Sequence, residues 1–133
     1  MRFTKITIIK HTAPHLTDVN DELQWFGASL GLFSLRDKDK SCFRVFITLL
    51  KSLKARKLVS SDEIASATQL SRGTVVHHLN KLMQAGIVGV EKGRYHLNVE
   101  NLEELVDLVQ ANLSKTMDCL REVARSIDGR LGL

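Results

Sequence analysis

Cysteine and proline are almost missing from this chain: its 133 residues include two cysteines and one proline. Cys42 and Cys119 lie far apart and match no metal-ligand spacing such as C-x-x-C. They read as reduced thiols beside helical apolar faces, with a redox or metal sensor as the alternative. Long hydrophobic runs are missing too, and none approaches the ~18 residues needed to span a bilayer. The first residues, Met1-Arg2-Phe3-Thr4-Lys5-Ile6, show neither the apolar stretch nor the small-residue cleavage site of a secretory signal, so a cytoplasmic address is expected. Catalytic signatures are equally scarce. No Ser/His/Asp set, paired carboxylates or phosphate-cradling glycine loop stands out, and Gly86, Gly89 and Gly93 fit a helix end followed by a hairpin turn. The sequence calls for no enzyme activity, no cofactor and no metal site.

What is present is an ordinary globular composition, 44% hydrophobic and 26% charged, which argues against wholesale disorder. The length suits one domain with a real core. The net charge is +4, but its distribution is more telling than its sum. Residues 1–35 carry three basic and three acidic groups. Residues 36–97 carry twelve basic groups against five acidic, a surplus of 7, whereas residues 98–133 carry four against seven, a deficit of 3. A basic middle facing a polyanion and an acidic tail turned away from it follow from this asymmetry.

Periodicity divides the chain. Residues 2–10 are β-branched and predict a strand whose partner the sequence does not reveal, and Pro14 breaks any element near it. Leu23, Phe26, Leu30 and Phe33 recur at helical spacing, predicting a helix over about 19–31. The charged run 36–40 reads as a linker. A helix over 41–56 carries apolar residues on more than half its circumference, so it should be covered on two sides. After a short extended piece at Leu58 and Val59, Ser60 and Glu63 form a capping box for a helix ending near Thr68. Ser71 caps the next helix, 72–85, and Gly86 suits its C-terminal end. Strands over 87–91 and 94–98 join through Lys92-Gly93. One long amphipathic helix follows, over 101–127.

The order helix, short strand, helix, turn, helix, hairpin is that of a winged helix. Within it, the run from Glu63 to Val88 resembles the helix-turn-helix of ArsR-type prokaryotic regulators. Leu70, Ser71, Thr74, Val75, His78, Leu79, Leu82, Ala85, Gly86, Ile87 and Val88 carry the resemblance. Two positions depart from it: Gln69 stands where the turn usually has glycine, and Gly73 replaces a polar residue in the first turn of the second helix. The Cys-rich metal box that some such regulators carry is absent, because Ser60 to Leu70 contains neither Cys nor His. An intersubunit site from His11, His15, His96 and Cys119 is a minor alternative.

The expected fold is mainly α with a small β-wing: an N-terminal extension (1–35), a winged helix-turn-helix (36–98) and a C-terminal dimerisation helix (99–133). Val75, Leu79 and Leu82 should pack inward, which turns Gly73, His77, Asn80 and Gln84 outward, flanked by Thr74, Val76 and Lys81. That face carries no acidic side chain, as a helix entering the major groove of double-stranded DNA requires. Ser71 and Arg72 at the helix start, and Lys92 and Arg94 on the wing, are the expected phosphate contacts. His78 falls at the edge of the buried face and reads as structural. Lys51, Lys54, Arg56 and Lys57 suit a solvated helix end as well as DNA contact.

The long helix should leave Leu105, Val109, Leu113, Met117 and Leu120 wet in a monomer, and a twofold partner would cover them. The resemblance implies a dimer as well. The expected function is therefore a homodimeric, DNA-binding, nucleoid-associated transcriptional regulator whose effector, if any, the sequence does not name. The alternative is a winged helix that docks proteins in a transcription or chromatin assembly.

Overall fold

The computed structural model describes residues 18–31 and 40–133. The strand expected over 2–10, Pro14, and most of the linker expected over 36–40 lie outside the described residues. Helix α1, Val19–Ser29, begins at Asp18, whose carboxylate accepts from the Asn20 N–H at 2.8 Å. Asp21 and Glu22 favour its positive end. Gly27 and Ala28 are buried, and Leu23, Phe26 and Leu30 lean on the core.

Helix α2, Ser41–Ala55, is the centre of the domain. Cys42, Phe43, Val45, Phe46 and Leu49 are all buried, while Ile47, Leu50 and Leu53 pack against the same cluster from their flanks. Its broad apolar surface is thus covered from two sides, as the sequence requires. The helix stops where Arg56 takes a left-handed conformation (φ +55°), which lets its N–H and that of Lys57 close back on Leu53 and Ser52.

The short piece after α2 is strand β1, Val59–Ser60, and it finds its partner far along the chain. Strands β2, Val88–Glu91, and β3, Arg94–Leu97, form the wing hairpin. All three make one antiparallel sheet in the order β1-β3-β2, with Val59 opposite Tyr95 and Ser60 opposite Arg94. Lys92 and Gly93 both have positive φ, +51° and +77°, which is the type I′ geometry that matches strand twist across a two-residue turn. The strands are shorter than expected by one residue each, Ile87 and Asn98 falling outside the ladder.

Between β1 and β2 lie α3, Ser61–Thr68, and α4, Arg72–Gln84. Ile64 of α3 and Val75, Leu79 and Leu82 of α4 are buried against α2, with Ile87, Val88 and Leu97 closing the core from the sheet.

Helix α5, Leu102–Leu131, runs 30 residues, about 45 Å at 1.5 Å per residue. Here the expected dimer stripe needs correction. Leu105 and Val109 are buried in the domain's own core, so they are not available to a partner. Leu113 is half-buried, and every residue from 114 onward is exposed. The reason is angular: each four-residue step advances ~40° around a helix with 100° per residue. Between Leu105 and Met117 the stripe turns by roughly 120°, too far for all of it to face one surface.

Candidate nucleic-acid interface

The helix-turn-helix is built from the capping chemistry of α3 and α4. Ser60 Oγ accepts from the Glu63 N–H at 3.1 Å, and a Glu63 carboxylate oxygen accepts from the Ser60 N–H at 3.1 Å. This is the capping box expected from the sequence. It holds the Glu63 carboxyl below the ordinary carboxylate range: the Ser60 N–H contributes most, the Ser60 hydroxyl next, and the Arg94 guanidinium adds to both. At the far end of α3, Thr68 Oγ1 donates to Ile64 O at 2.7 Å. Arg44 of α2 donates to the Thr68 carbonyl, a cation bonded to the negative end of a helix.

The turn between the helices then bends at Gln69, in the left-handed region at φ +58°. A side chain there costs on the order of 1 kcal/mol relative to glycine. The turn nonetheless forms, with α3 held to α2 through Arg44 and Ile64. Ser71 caps α4, accepting from the Thr74 N–H at 3.1 Å and donating to Thr74 Oγ1 at 2.8 Å. Its hydroxyl is therefore committed to the helix.

Helix α4 splits along its length as expected. Val75 and Leu79 are completely buried and Leu82 nearly so. Arg72, Gly73, His77, Asn80, Lys81 and Gln84 are exposed, and Thr74 and Val76 are half-buried at the borders. Gly73, His77, Asn80 and Gln84 follow at four-, three- and four-residue steps, so they form a single strip. No Asp or Glu occurs in the helix. Arg72 has a loose pairing with Asp62 at 3.5 Å, both side chains being more than two-thirds exposed. Such a pair contributes little and exchanges readily.

His78 is buried, and its Nε2 lies 2.7 Å from Ser41 Oγ at the start of α2. It ties the inner side of α4 to the central helix, in keeping with a structural role. His77, its neighbour, has its ring centroid 5.4 Å away on the open side.

The wing's two cations are placed differently. Lys92 is exposed at the hairpin tip. Arg94 Nη1 donates to the Glu63 carboxylate at 2.7 Å and to the Leu58 carbonyl at 3.3 Å, which locks β3 to the capping box of α3. Sequence reasoning missed this pairing, and it missed the bond from Arg44 to Thr68. The local hint for the first was the extended piece at Leu58 and Val59, which does not name its partner strand. Once β1 is paired with β3, Ser60 stands opposite Arg94 and the acid three residues on comes within reach.

The basic end of α2 borders an open cavity of about 580 Å³ against the sheet, where Lys54, Arg56 and Lys57 share the rim with Glu91, His96 and Glu100. Charge of both signs there makes it a poorer polyanion surface than α4. Among the described residues, no three His, Cys, Asp or Glu side chains gather as metal ligands, and no helix is long and apolar enough to cross a membrane. His11 and His15 lie outside those residues.

Residues 47–90, from the middle of α2 to β2, match the model of a family described as bacterial regulatory protein, arsR family. No curated protein and no solved structure matches the chain. The match falls on the segment that holds the turn, the caps and the acid-free helix face, so residues 47–90, about a third of the chain, are similar to the helix-turn-helix of arsR-family regulatory proteins.

Proposed function

We propose that the protein regulates transcription as a homodimer that binds specific double-stranded DNA sites, with α4 lying in the major groove. The observation that carries this reading is the strip Gly73, His77, Asn80 and Gln84, exposed and acid-free on a helix whose opposite side is fixed in the core. A helix of this kind fits the ~12 Å width of the groove. His77, Asn80 and Thr74 face base edges in this arrangement, with Val76 at the border and Lys81 near the flanking phosphates. Arg72 and the free N–H groups of the first turn after Ser71 hold a phosphate, helped by the positive end of the helix. Gly73 admits the DNA backbone closely.

On the wing, Lys92 is the principal phosphate contact, since Arg94 reaches DNA only by leaving Glu63. The exposed half of α5 supplies the dimer contact. Two copies of α4 then address half-sites of a palindrome spaced by one or more turns of DNA, ~34 Å each. The basic surplus of residues 36–97 adds sequence-independent attraction, and the acidic tail stays off the DNA. A nucleoid-associated, cytoplasmic location accompanies this role.

The test is selection of bound fragments from a random duplex pool, followed by fluorescence anisotropy on the enriched sequence across salt. Enrichment of a palindrome, with affinity falling by orders of magnitude between 50 and 200 mM salt, is the expected result for ~6–10 phosphate contacts. No binding at low salt would remove the DNA reading and leave the protein-docking winged helix.

A further inference from the structure

From Leu113 onward α5 changes its repeat. Leu113, Met117, Leu120, Ala124, Ile127 and Leu131 follow at steps of 4, 3, 4, 3 and 4, the 3.5-residue period of a coiled-coil seam. Met117, Leu120, Ile127 and Leu131 are between 42% and 69% exposed, an apolar line that none of the other described residues covers. A continuous exposed seam of this kind marks an interaction surface. Resting on the homodimer proposed above, we infer that residues 113–131 pair with the same residues of a second copy as an antiparallel two-stranded coiled coil centred on Glu122.

The sequence of the seam selects the direction. Centred on residue 122, the antiparallel pairing fills all six layers: Leu113 meets Leu131 of the mate, Met117 meets Ile127, and Leu120 meets Ala124, each pairing occurring twice. The small Ala124 is thereby set against a large leucine, the alternation that fills a core without voids. A parallel pairing would set Ala124 against Ala124 and leave a gap at that layer. The flanks agree. Val123 is 57% exposed beside the seam, and in the antiparallel arrangement it packs on its own mate across the twofold axis. In the parallel arrangement it would face Asp128 instead. The like-charged contact in the antiparallel form, Arg121 with its mate, is offset by Asp118, 3.6 Å from Arg121 on the same helix. The two winged helices then sit at opposite ends of the rod, their α5 attachments near Leu105 and Val109 about 45 Å apart along it.

Spin labels on the full chain test direction and register together. Lys115, Glu122 and Gly129 are spaced by seven residues on the outer side of the rod, and a Cβ at Gly129 meets nothing within 4 Å. Cysteines introduced one at a time at these positions, in a Cys119→Ser background whose remaining Cys42 is buried, are labelled and measured by double electron–electron resonance beside light scattering. The antiparallel form gives its shortest distance at 122. At 115 and 129 the paired labels lie about 21 Å farther apart along the axis. Three equal distances, or a minimum elsewhere, overturn the inference while the dimer stands. A dimer with no dipolar coupling at 122 does the same and assigns the contact to another surface. A monomer by light scattering removes the homodimer itself.

Discussion

Arg94 on the wing and Glu63 on α3 form a 2.7 Å ion pair in which the carboxylate also accepts from the N–H of Ser60. One acid therefore caps the first helix of the helix-turn-helix and fixes the hairpin beside it. Both side chains are about half exposed, so the pair itself contributes little to global stability. Its consequence lies in where the wing's charge is directed. Lys92→Ala should make the salt dependence of DNA binding shallower by about one unit for each lost phosphate contact. Arg94→Ala should weaken binding to specific and random DNA with a smaller change in slope, because that guanidinium is directed to protein. Anisotropy titrations across salt measure both. Equal losses of slope in the two variants would mean that Arg94 leaves Glu63 for DNA.

Acid should act on the same junction. The Glu63 carboxyl titrates below its unfolded value, held there by Ser60 first and Arg94 after. A group with a depressed folded-state pKa contributes stability that is complete above its unfolded pKa and is lost as pH falls through the folded one. Glu63→Gln keeps a side chain able to reach the Ser60 N–H but cannot titrate. Thermal melts of the parent from pH 6 down to pH 3 should fall more steeply than those of the variant. Parallel curves would assign the acid sensitivity to other carboxylates.

Much of this was legible in the residues. The 3.6 period, the capping pattern Ser60/Glu63, the cap Ser71 and the turn Lys92-Gly93 placed every described element to within a few residues, because each is a local signal. The inward set Val75, Leu79 and Leu82 followed from the same geometry. What stayed hidden was long-range. Nothing in Val59 and Ser60 announces that they pair with residues near 95, so the lock between Arg94 and Glu63 could not be foreseen. The division of α5 was hidden for another reason: whether Leu105 faces a partner or its own core depends on where the rest of the domain sits.

That division gives a pair of variants with opposite signatures. Leu105→Ala opens a cavity in the core and should cost ~2–5 kcal/mol of folding stability. Leu120 is 58% exposed, so Leu120→Glu should leave the fold of each chain intact while separating the proposed dimer, because association would bury a carboxylate against apolar neighbours. Circular dichroism melts and light scattering distinguish the two effects. A Leu120→Glu protein that stays dimeric would move the interface off the exposed half of α5.

His77 is exposed on the strip proposed to face the groove, so replacing it tests reading apart from folding. His77→Ala should leave the melt unchanged and narrow the gap between cognate and random DNA by roughly 1–3 kcal/mol per half-site. A loss shared equally by both DNAs would place His77 on phosphate instead.

Gly73 separates stability from binding at a single position. It lies in the first turn of α4, and a Cβ built there meets nothing within 4 Å. Within the chain, then, no contact demands a glycine. Alanine is the better helix former by about 0.5–1 kcal/mol, so Gly73→Ala should raise the denaturation midpoint. In the proposed complex the same methyl group would stand where the DNA backbone comes closest to the helix, beside Arg72 and the N–H groups of the first turn. There the variant should bind more weakly, and cognate and random duplexes should be affected alike, because the methyl meets phosphate and sugar rather than a base edge. Denaturant melts and anisotropy titrations on one preparation read the two effects independently. A variant that is more stable and binds DNA as tightly as the parent would show that the helix does not approach the backbone at Gly73. The reading strip would then begin farther along α4, at His77.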